Sequence, residues 1–334
     1  FIQKIKINPN FYWGIPVLLL CVTAFSSRAS VYCALKEVSP ALFTAWRMQL
    51  TTIGMLLCSG WDFKVHPDRC IKMLSETRHL LMFGGIFFGL FYNLFTIALT
   101  MTSISHTILA YSAVPVYSFI FDCFQGKPLY KWEVVGSAVS ISGMCVVMLS
   151  SMVEEDSTFL GDILAIFCGL FLTLYTMTTR EAIKEASVPI CFYLAVINTI
   201  SLLLSLAVMV LLGHADGFPQ LWDWTKEEYI WAMVYTSIGV GCMTQLLYGL
   251  SLKYLSAVLA TVFINFEPFP GVLIGCWLGL QEVPCWLTWI GGVACIAGSI
   301  SVVLCTDVVK VPETSEMSPS NKSESSYIAH MPAT

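Results

Sequence analysis

The chain has 334 residues, of which 57% are hydrophobic and 12% are charged, and its formal net charge at pH 7 is −5. A soluble domain carries roughly 25% charged and about 45–50% apolar residues, so a surface this poor in charge must face lipid. No basic stripe or cluster is present, which excludes the usual signature of a nucleic-acid-binding protein.

Ten segments are long and apolar enough to cross a bilayer, which takes about 20 residues of helix. They span roughly 12–34, 40–60, 79–101, 104–124, 132–151, 160–180, 189–212, 229–251, 256–279 and 286–305. Only helices and closed barrels satisfy the backbone in lipid, and these segments are too long and too uniformly apolar for barrel strands. We therefore predict an all-α membrane protein with ten transmembrane helices.

The connections differ in character. The connection 61–79 is polar and basic, whereas 213–228 is acidic and aromatic. From 307 to 334 the composition changes to Ser, Glu, Lys and Pro, which is typical of disorder. We predict a disordered cytosolic tail there.

The distribution of Lys and Arg predicts the orientation. With the N-terminus inside and ten spans, thirteen basic residues fall on the inner side, two on the outer side (Lys36 and Lys226) and two within spans (Arg28 and Arg47). The inner set is Lys4, Lys6, Lys64, Arg69, Lys72, Arg78, Lys127, Lys131, Arg180, Lys184, Lys253, Lys310 and Lys322. Cytoplasmic loops carry such an excess, so both termini are expected to be cytosolic in an integral, multi-pass protein.

An internal repeat divides the chain. Residues 103–115 align with 256–268, both beginning with Ser and ending with Pro, at an offset of 153 residues. Beyond a two-residue insertion, Gly136 aligns with Gly291 and Gly143 with Gly298. Five helices per copy is an odd number, so the copies insert with opposite orientation. We predict two inverted-topology five-helix repeats, 1–151 and 152–306, followed by the tail 307–334.

Inverted repeats are typical of secondary transporters, whose substrate site lies near the midplane between the halves. The repeat is also compatible with a duplicated membrane scaffold that transports nothing. Both interpretations stay open from this pattern alone.

Several motifs resemble the drug/metabolite transporter superfamily in its EamA-type branch, over residues 11–306. The motifs are Trp13-Gly14, Arg47, Glu267-Pro268, the turn Leu278-Gly-Leu-Gln-Glu282, and the glycine spacing of Gly291 and Gly298. In the first half Lys127 stands where the family's turn usually has a glutamate. The resemblance implies ten helices and alternating access by rocking of the two halves.

The resemblance does not fix the substrate, because members carry amino acids, metabolites, drugs, nucleotide sugars and sugar phosphates. The paired lysines of many nucleotide-sugar and triose-phosphate carriers are absent, so a carrier of an amino acid or related metabolite is the first expectation. A nucleotide-sugar or organic-anion exchanger is an alternative, and only Arg28 and Arg47 could supply its basic cavity. A non-transporting scaffold or partner subunit that retains the fold is another.

Glu267 is the clearest functional candidate, because a charged group at membrane depth costs at least about 2.5–3.5 kcal/mol. It stands beside Pro268 and near Pro270, and two prolines kink a helix and free carbonyl groups. Glu267 could bind a cationic group or a coupling proton, or could only bridge helices by hydrogen bonds. A glycine ridge at Gly271, Gly275 and Gly279 on the same face favours a helix seam.

Arg28 and Arg47 could hold a carboxylate or pair with Glu267, or could extend to the outer interface. Asp122 is expected to reach the headgroups. His106 and several uncharged polar residues either line a cavity or join helices. The predicted substrate-binding set is Arg28, Tyr92, Asn93, Tyr111, Tyr175, Gln245, Asn265 and Glu267.

No enzyme motif is apparent, since P-loop, HExxH and GxSxG patterns are absent. Most of the thirteen cysteines lie in apolar runs and none forms a CxxC pair, which indicates inert buried thiols. We therefore expect no catalysis, no cofactor and no metal. The expected partners are a small-molecule solute and the lipid bilayer, and a homodimer through glycine-rich helix faces is a further expectation.

Overall fold

The structure, a computed structural model, describes residues 11–35, 37–111, 114–124, 126, 131–150, 158–185, 189–212, 215–247 and 266–309. Within these ranges the chain is helical and contains no strand, which confirms the all-α prediction. The α-helices are α1 Phe11–Ala34, α2 Pro40–Val65, α3 Pro67–Glu76, α4 Arg78–Ala98, α5 Ile104–Tyr111, α6 Val114–Phe124, α7 Lys131–Ser150, α8 Phe159–Glu185, α9 Ile190–Leu211, α10 Glu227–Val234, α11 Pro268–Trp277 and α12 Trp286–Val309. A 3₁₀ helix, Ala215–Thr225, precedes α10, and a π-helical segment, Tyr235–Cys242, follows it.

Each of the ten predicted segments contains one or more of these helices. The segment 104–124 is described as α5 and α6, with 112–113 outside the described residues. Of 256–279, only the part from 266 onward is described, and it contains α11.

The polar and basic connection 61–79 is largely helical. Helix α2 continues to Val65, and α3 follows after a single residue. Helix α3 is amphipathic, because Cys70 and Met73 are buried on one face while its charged residues are exposed. At the other end of the chain, α12 extends to Val309 and so includes the first three residues of the predicted tail, and 310–334 lie outside the described residues.

Four helical stretches of the described residues are long and apolar enough to cross a bilayer: Arg78–Ala98, Phe159–Thr179, Ile190–Leu211 and Glu227–Leu247. Shorter apolar stretches are Leu19–Ala34, Val134–Ser150, Pro268–Trp277 and Trp286–Val302. Large apolar side chains such as Leu57, Leu211 and Trp277 are exposed on the outer faces of the helices. The chain is therefore a membrane protein, with an outer surface suited to lipid.

Helices α7 and α12 pack together through the repeat-related glycines. Gly136 faces Gly298 and Gly143 faces Gly291, so the two helices are antiparallel. A Cβ atom on Gly143 would lie 2.6 Å from the carbonyl oxygen of Gly291, which only glycine avoids. These glycines already pack against each other within one chain, so a homodimer would need another surface. The homodimer stays a prediction.

Two further glycines end helices at equivalent points of the repeat. Gly126 follows α6 and Gly279 follows α11, and both have φ of +67°. Their separation is the 153-residue offset between Pro115 and Pro268. A left-handed residue commonly terminates a helix, and glycine adopts that conformation without steric cost. The local backbone therefore repeats along with the sequence.

A carboxylate from one helix caps another. Asp62, in the last turns of α2, accepts hydrogen bonds through Oδ2 from the backbone N–H groups of Cys191 (3.1 Å) and Phe192 (3.2 Å). These N–H groups begin α9, where the helix itself offers no partner and a negative charge is favourable. The contact joins α2 of the first repeat to α9 of the second.

An aromatic stripe on α4 positions the centre of the molecule. Phe88, Phe91, Tyr92 and Phe95 are buried on the inner face of α4, with Tyr92 and Phe91 4.7 Å apart between ring centroids. Tyr111, at the end of α5, packs edge-on against Phe95 at 5.8 Å. The rings form an apolar wall beside the polar side chains of α1 and α2.

Candidate functional site

Glu267 lies at the centre of a buried polar cluster. Its carboxylate oxygen Oε1 accepts a hydrogen bond from the Tyr111 hydroxyl and lies 3.4 Å from Arg28 Nη2. The side chains of Arg28 and Glu267 are 3% and 2% exposed, so the ion pair is shielded from solvent. The contacts join α1, α5 and the residue preceding α11, and thereby link the two repeats.

The backbone around Glu267 explains how the carboxylate reaches this position. Pro268 begins α11, and the carbonyl of Glu267 accepts hydrogen bonds from Gly271 N (3.2 Å) and Ser26 Oγ (2.9 Å). A Cβ atom on Gly271 would lie 2.6 Å from Ile108 Cδ1, so glycine allows α11 to approach α5 closely. Gly271 and Gly275 of the predicted glycine ridge therefore pack in a helix seam, where Glu267 reaches Arg28 and Tyr111. The prediction was wrong for Gly279, which lies in the turn after α11 and has no described atom within 4 Å of a Cβ position.

Aromatic rings surround the Arg28 guanidinium. Its central carbon lies 3.8 Å from the ring centroid of Phe25, 4.6 Å from that of Phe95 and 5.0 Å from that of Tyr111. Arginine favours such stacking because its planar cation is weakly hydrated. Two of its nitrogens, Nε and Nη1, are buried and have no hydrogen-bond acceptor among the described residues. Arg28 therefore has donor capacity that this part of the chain does not use.

Arg47 occupies the same region from α2. Its guanidinium carbon lies 3.9 Å from the ring centroid of Tyr92, and Nη2 donates to the Tyr92 hydroxyl at 3.1 Å. Nε donates to the carbonyl of Thr236 at 3.5 Å. Thr236 belongs to the π-helical segment, and π-helical turns inside α-helices often mark functional sites.

A small cavity lies between the two arginines. It is lined by Arg28, Tyr32, Phe43, Thr44, Arg47, Tyr92, Phe95, Thr96 and Thr236. It has room for about one water molecule. The helices are therefore closed around the arginines in this structure. A molecule larger than water could enter the cavity only if the helices moved.

The structure places the predicted site residues in three groups. Arg28, Tyr92, Tyr111 and Glu267 meet around the cavity and the ion pair. Tyr175 is next to this group, because its ring packs at 4.5 Å on Phe88, which contacts Tyr92.

Two predicted residues lie in helix seams. Asn93 donates to Ser205 Oγ at 2.9 Å and to the carbonyl of Gly89, between α4 and α9. Gln245 accepts from Asn198 Nδ2 at 3.2 Å. Neither contacts Glu267 in a hydrogen bond of the described residues, and their role in binding stays a prediction. Asn265 and the side chain of Asp122 lie outside the described residues.

Three parts of the site were missed by the sequence interpretation. Phe25 and Phe95 flank Arg28, and the carbonyl of Thr236 meets Arg47. The contact of Phe25 with Arg28 could have been predicted, because Phe25 is three residues before Arg28 and shares its helix face. Phe95 and Thr236 come from other helices, and nothing in the linear order indicates their approach.

A second buried cluster, here called the His106 cluster, comprises Thr102, His106, Ser150, Asp162 and Thr288. His106 Nδ1 lies 3.0 Å from Asp162 Oδ1, which also accepts from Thr102 Oγ1 at 2.6 Å. Ser150 Oγ lies 3.0 Å from His106 Nε2 and 2.7 Å from Thr288 Oγ1. The cluster ties α5 and α7 to α8 and α12, so it also bridges the repeats.

A Ser–His–Asp line is also the arrangement of hydrolase triads. Ser150 and His106 are 0% and 1% exposed, and the space beside His106 has room for about one water molecule. The cluster is closed in this structure, and its contacts join four helices as a helix junction does. Asp162 was not among the sequence candidates. It could have been one, because an acidic residue near the start of the apolar segment 160–180 needs a partner or a function.

Metal-binding potential is limited in the part of the chain that the structure describes. No group of three or more His, Cys, Asp or Glu side chains there is arranged to hold a metal ion. The expectation that the whole protein needs no metal or cofactor stays a prediction.

Comparison with known proteins identifies the family of the chain and a solved structure of similar fold. The model of the EamA-like transporter family matches residues 12–149 and 159–304, as two separate copies. Sixteen chains of solved structures match; one crystal structure of a protein covers 90% of this chain and 99% of its own, with a TM-score of 0.59 and 16% sequence identity. At that identity the likeness shows the fold alone. No curated protein matches. The two family matches cover most of the chain, and the chain belongs to the EamA-like transporter family.

Proposed function

We propose that the chain is a secondary transporter that moves a small organic solute, an amino acid or related metabolite, across a membrane by alternating access. The solute binds at the central cluster, defined as Arg28, Arg47, Tyr92, Tyr111 and Glu267. Ten spans in two inverted repeats, with both termini cytosolic, form the body of the transporter.

Three observations support the inverted ten-helix architecture. The family model matches twice, and each predicted span contains a described helix. The repeat-related glycines meet across antiparallel α7 and α12, as expected if an axis in the membrane plane relates the two copies. Both copies also end a helix at a glycine with φ of +67°.

The observation that carries the transport proposal is the position of the Arg28–Glu267 pair. Arg28 belongs to the first repeat and Glu267 to the second, and both are buried at 3% and 1% exposure. A contact between two bodies that rock against each other is where a solute can be bound and released. Transporters with inverted repeats place their sites at this interface.

A non-transporting scaffold is less consistent with the central cluster. Burying a charge costs several kcal/mol even when it is paired, and apolar packing would join the helices as well. Arg28 also buries two donor nitrogens without acceptors, which lowers stability further. Arg47 is a second buried cation, without a carboxylate partner among the described residues; it lowers the stability of a helix junction, whereas a binding site uses it when the solute arrives.

Glu267 is also the proposed site of a coupling proton. Its carboxylate contacts the Tyr111 hydroxyl and the Arg28 guanidinium, so gain or loss of a proton there changes the link between the repeats. In proteoliposomes the Glu267→Gln variant should transport without dependence on a pH gradient, or fail to transport. Unchanged gradient dependence in this variant would remove the proton-coupling part of the proposal.

The transport proposal itself is tested by ligand stabilisation followed by uptake. A solute that binds only the folded protein raises its melting temperature, so amino acids, nucleotides and sugar phosphates are screened on the purified protein. Each stabilising solute is then tested, in labelled form, for counterflow into proteoliposomes. Stabilisation without counterflow for every solute would favour the scaffold interpretation.

A further inference from the structure

The charges around the central cavity do not balance. Arg28 and Arg47 both line it, while Glu267 is the one carboxylate that contacts either arginine among the described residues. The neighbouring segment 248–265, which the structure does not describe, contains no Asp or Glu in its sequence. Asp162, the other buried carboxylate of the described residues, is bound to His106 and Thr102.

The excess positive charge cannot be removed by releasing a proton, because arginine stays protonated in proteins. Within the part of the chain that the structure describes, Arg47 meets only neutral groups in its hydrogen bonds, the Tyr92 hydroxyl and the Thr236 carbonyl. Counted over these residues, the central cluster carries one uncompensated positive charge when Glu267 is ionised. A bound cation would increase that excess, and a zwitterion would leave it unchanged.

The geometry of the arginines also selects a ligand. Phe25 covers the face of Arg28 at 3.8 Å, and Tyr92 covers that of Arg47 at 3.9 Å. A guanidinium N–H group points outward in the plane of the cation, so a stacked arginine remains open only at its edges. The free Nε and Nη1 of Arg28 are such edges. Carboxylate and phosphate oxygens are the acceptors that fit them best.

We propose that the transported solute is an organic monocarboxylate with one net negative charge, whose carboxylate binds between Arg28 and Arg47. One negative charge matches the excess, whereas a phosphate monoester carries about −1.5 to −2 at pH 7. The aromatic side chains Phe25, Tyr92 and Phe95 contact the organic part of the solute. This inference rests on the proposed transport function and, within its substrate class, favours a related monocarboxylate metabolite over a zwitterionic amino acid.

The inference is tested first by ligand stabilisation with probes of defined charge. Benzoate and pyruvate are the monocarboxylates, glycerol 3-phosphate is the phosphate ester, alanine is the zwitterion and putrescine is the cation. Benzoate or pyruvate should raise the melting temperature of the purified protein. A larger effect of glycerol 3-phosphate, or an effect of alanine or putrescine alone, overturns the monocarboxylate assignment.

Variants of Arg47 test whether monocarboxylate binding depends on the positive charge of this residue. Arg47→Gln should weaken monocarboxylate binding by at least about tenfold, the scale of a lost hydrogen bond to a charged group. Arg47→Lys should retain more of the affinity because it keeps the charge. Arg78→Gln is the matched control, since Arg78 is exposed at the start of α4. Equal binding by Arg47→Gln and the wild type overturns the proposal.

Glu267→Gln should change monocarboxylate affinity in the opposite direction from Arg47→Gln. The expected result is a gain of binding, which loss of folding cannot produce. Removing the negative charge makes the central cluster more positive, so monocarboxylate affinity should increase. A decrease contradicts the charge argument. The experiments distinguish failure of the substrate class from failure of the transport proposal. If labelled alanine shows counterflow that Arg47→Gln does not change, transport is supported and the monocarboxylate assignment is overturned. No stabilisation by any probe together with no counterflow contradicts transport as well.

Discussion

The central cluster and the His106 cluster are both buried, both contain ionisable groups and both join the two repeats, yet they differ in how their charged groups are paired. In the His106 cluster the groups form a chain from Thr102 through Asp162, His106 and Ser150 to Thr288, and the second carboxylate oxygen of Asp162 has no partner among the described residues. In the central cluster two nitrogens of Arg28 have no acceptor, and Arg47 has no carboxylate partner among the described residues.

The difference separates two uses of buried polarity. A chain of hydrogen bonds fixes the relative positions of helices, because breaking it leaves groups unpaired. The central cluster has a buried arginine without a carboxylate partner among the described residues, and it lies beside a cavity lined by both arginines. Unpaired buried atoms occur in both clusters, so they do not distinguish a helix junction from a binding site, whereas the arginine without a carboxylate partner does.

The largest expected effect comes from isolating the charge in the central cluster. Glu267→Ala should lower the free energy of unfolding by about 3–5 kcal/mol, because Arg28 is then a buried charge without a counter-ion. Chemical denaturation in detergent micelles measures it. Glu282→Ala, at an exposed position, should stay within about 0.5 kcal/mol of the wild type. A loss below about 1 kcal/mol for Glu267→Ala would show that the ion pair does not hold the repeats together.

The equivalent change in the His106 cluster should cost less. Asp162→Asn keeps an oxygen that accepts from Thr102 and His106, so we expect a loss of about 1–3 kcal/mol. The same denaturation experiment compares the two variants directly. A loss greater than that of Glu267→Ala would reverse the comparison and make the His106 cluster the main ionic link between the repeats.

A neutral change in the His106 cluster should cost less again. Ser150→Ala removes the hydroxyl between His106 and Thr288, and about 1 kcal/mol of unfolding free energy should be lost. Ser142→Ala is the matched control, because the exposed Ser142 hydroxyl bonds only to its own helix at Ala138. Equal stability of the two variants would mean that the chain of hydrogen bonds adds nothing to the junction.

The smallest expected effect is at Arg47, and its sign sharpens the comparison. Arg47→Met removes the charge that has no carboxylate partner and keeps much of the apolar volume, so stability should change by less than about 1 kcal/mol or increase. Loss of monocarboxylate binding without loss of stability is the signature of a residue kept for function. A loss above about 3 kcal/mol would instead make Arg47 a structural residue.

The helices could be predicted from the sequence because each depends on local composition. The apolar lengths, the prolines at helix starts and the basic residues between segments are all properties of the linear chain. The exceptions are informative. Helix α3 was missed because its ten residues are too few and too polar to cross a bilayer, and the helices were sought as long apolar segments.

The candidate site could be predicted only in part. Arg28 and Glu267 were identified because an ionisable residue in an apolar segment is conspicuous, and the sequence left their pairing as one of several options. Asn93 and Gln245 were equally conspicuous, yet they are bonded across helix seams. Polarity at membrane depth indicates that a partner exists, and it does not indicate whether the partner is a helix or a solute.

The sequence by itself determined the helices, the repeat and the residues that carry charge in the membrane, because hydropathy and glycine spacing are read one segment at a time. Only the tertiary structure decided that Arg28 and Arg47 line one cavity, that Glu267 is the one carboxylate in contact with either arginine among the described residues, and that Asp162 is bound to His106. These outcomes depend on contacts between distant positions of the chain, such as that of Arg28 with Glu267, 239 positions apart. Helix rotation and close approach at Gly271 set such contacts, and no local pattern encodes them.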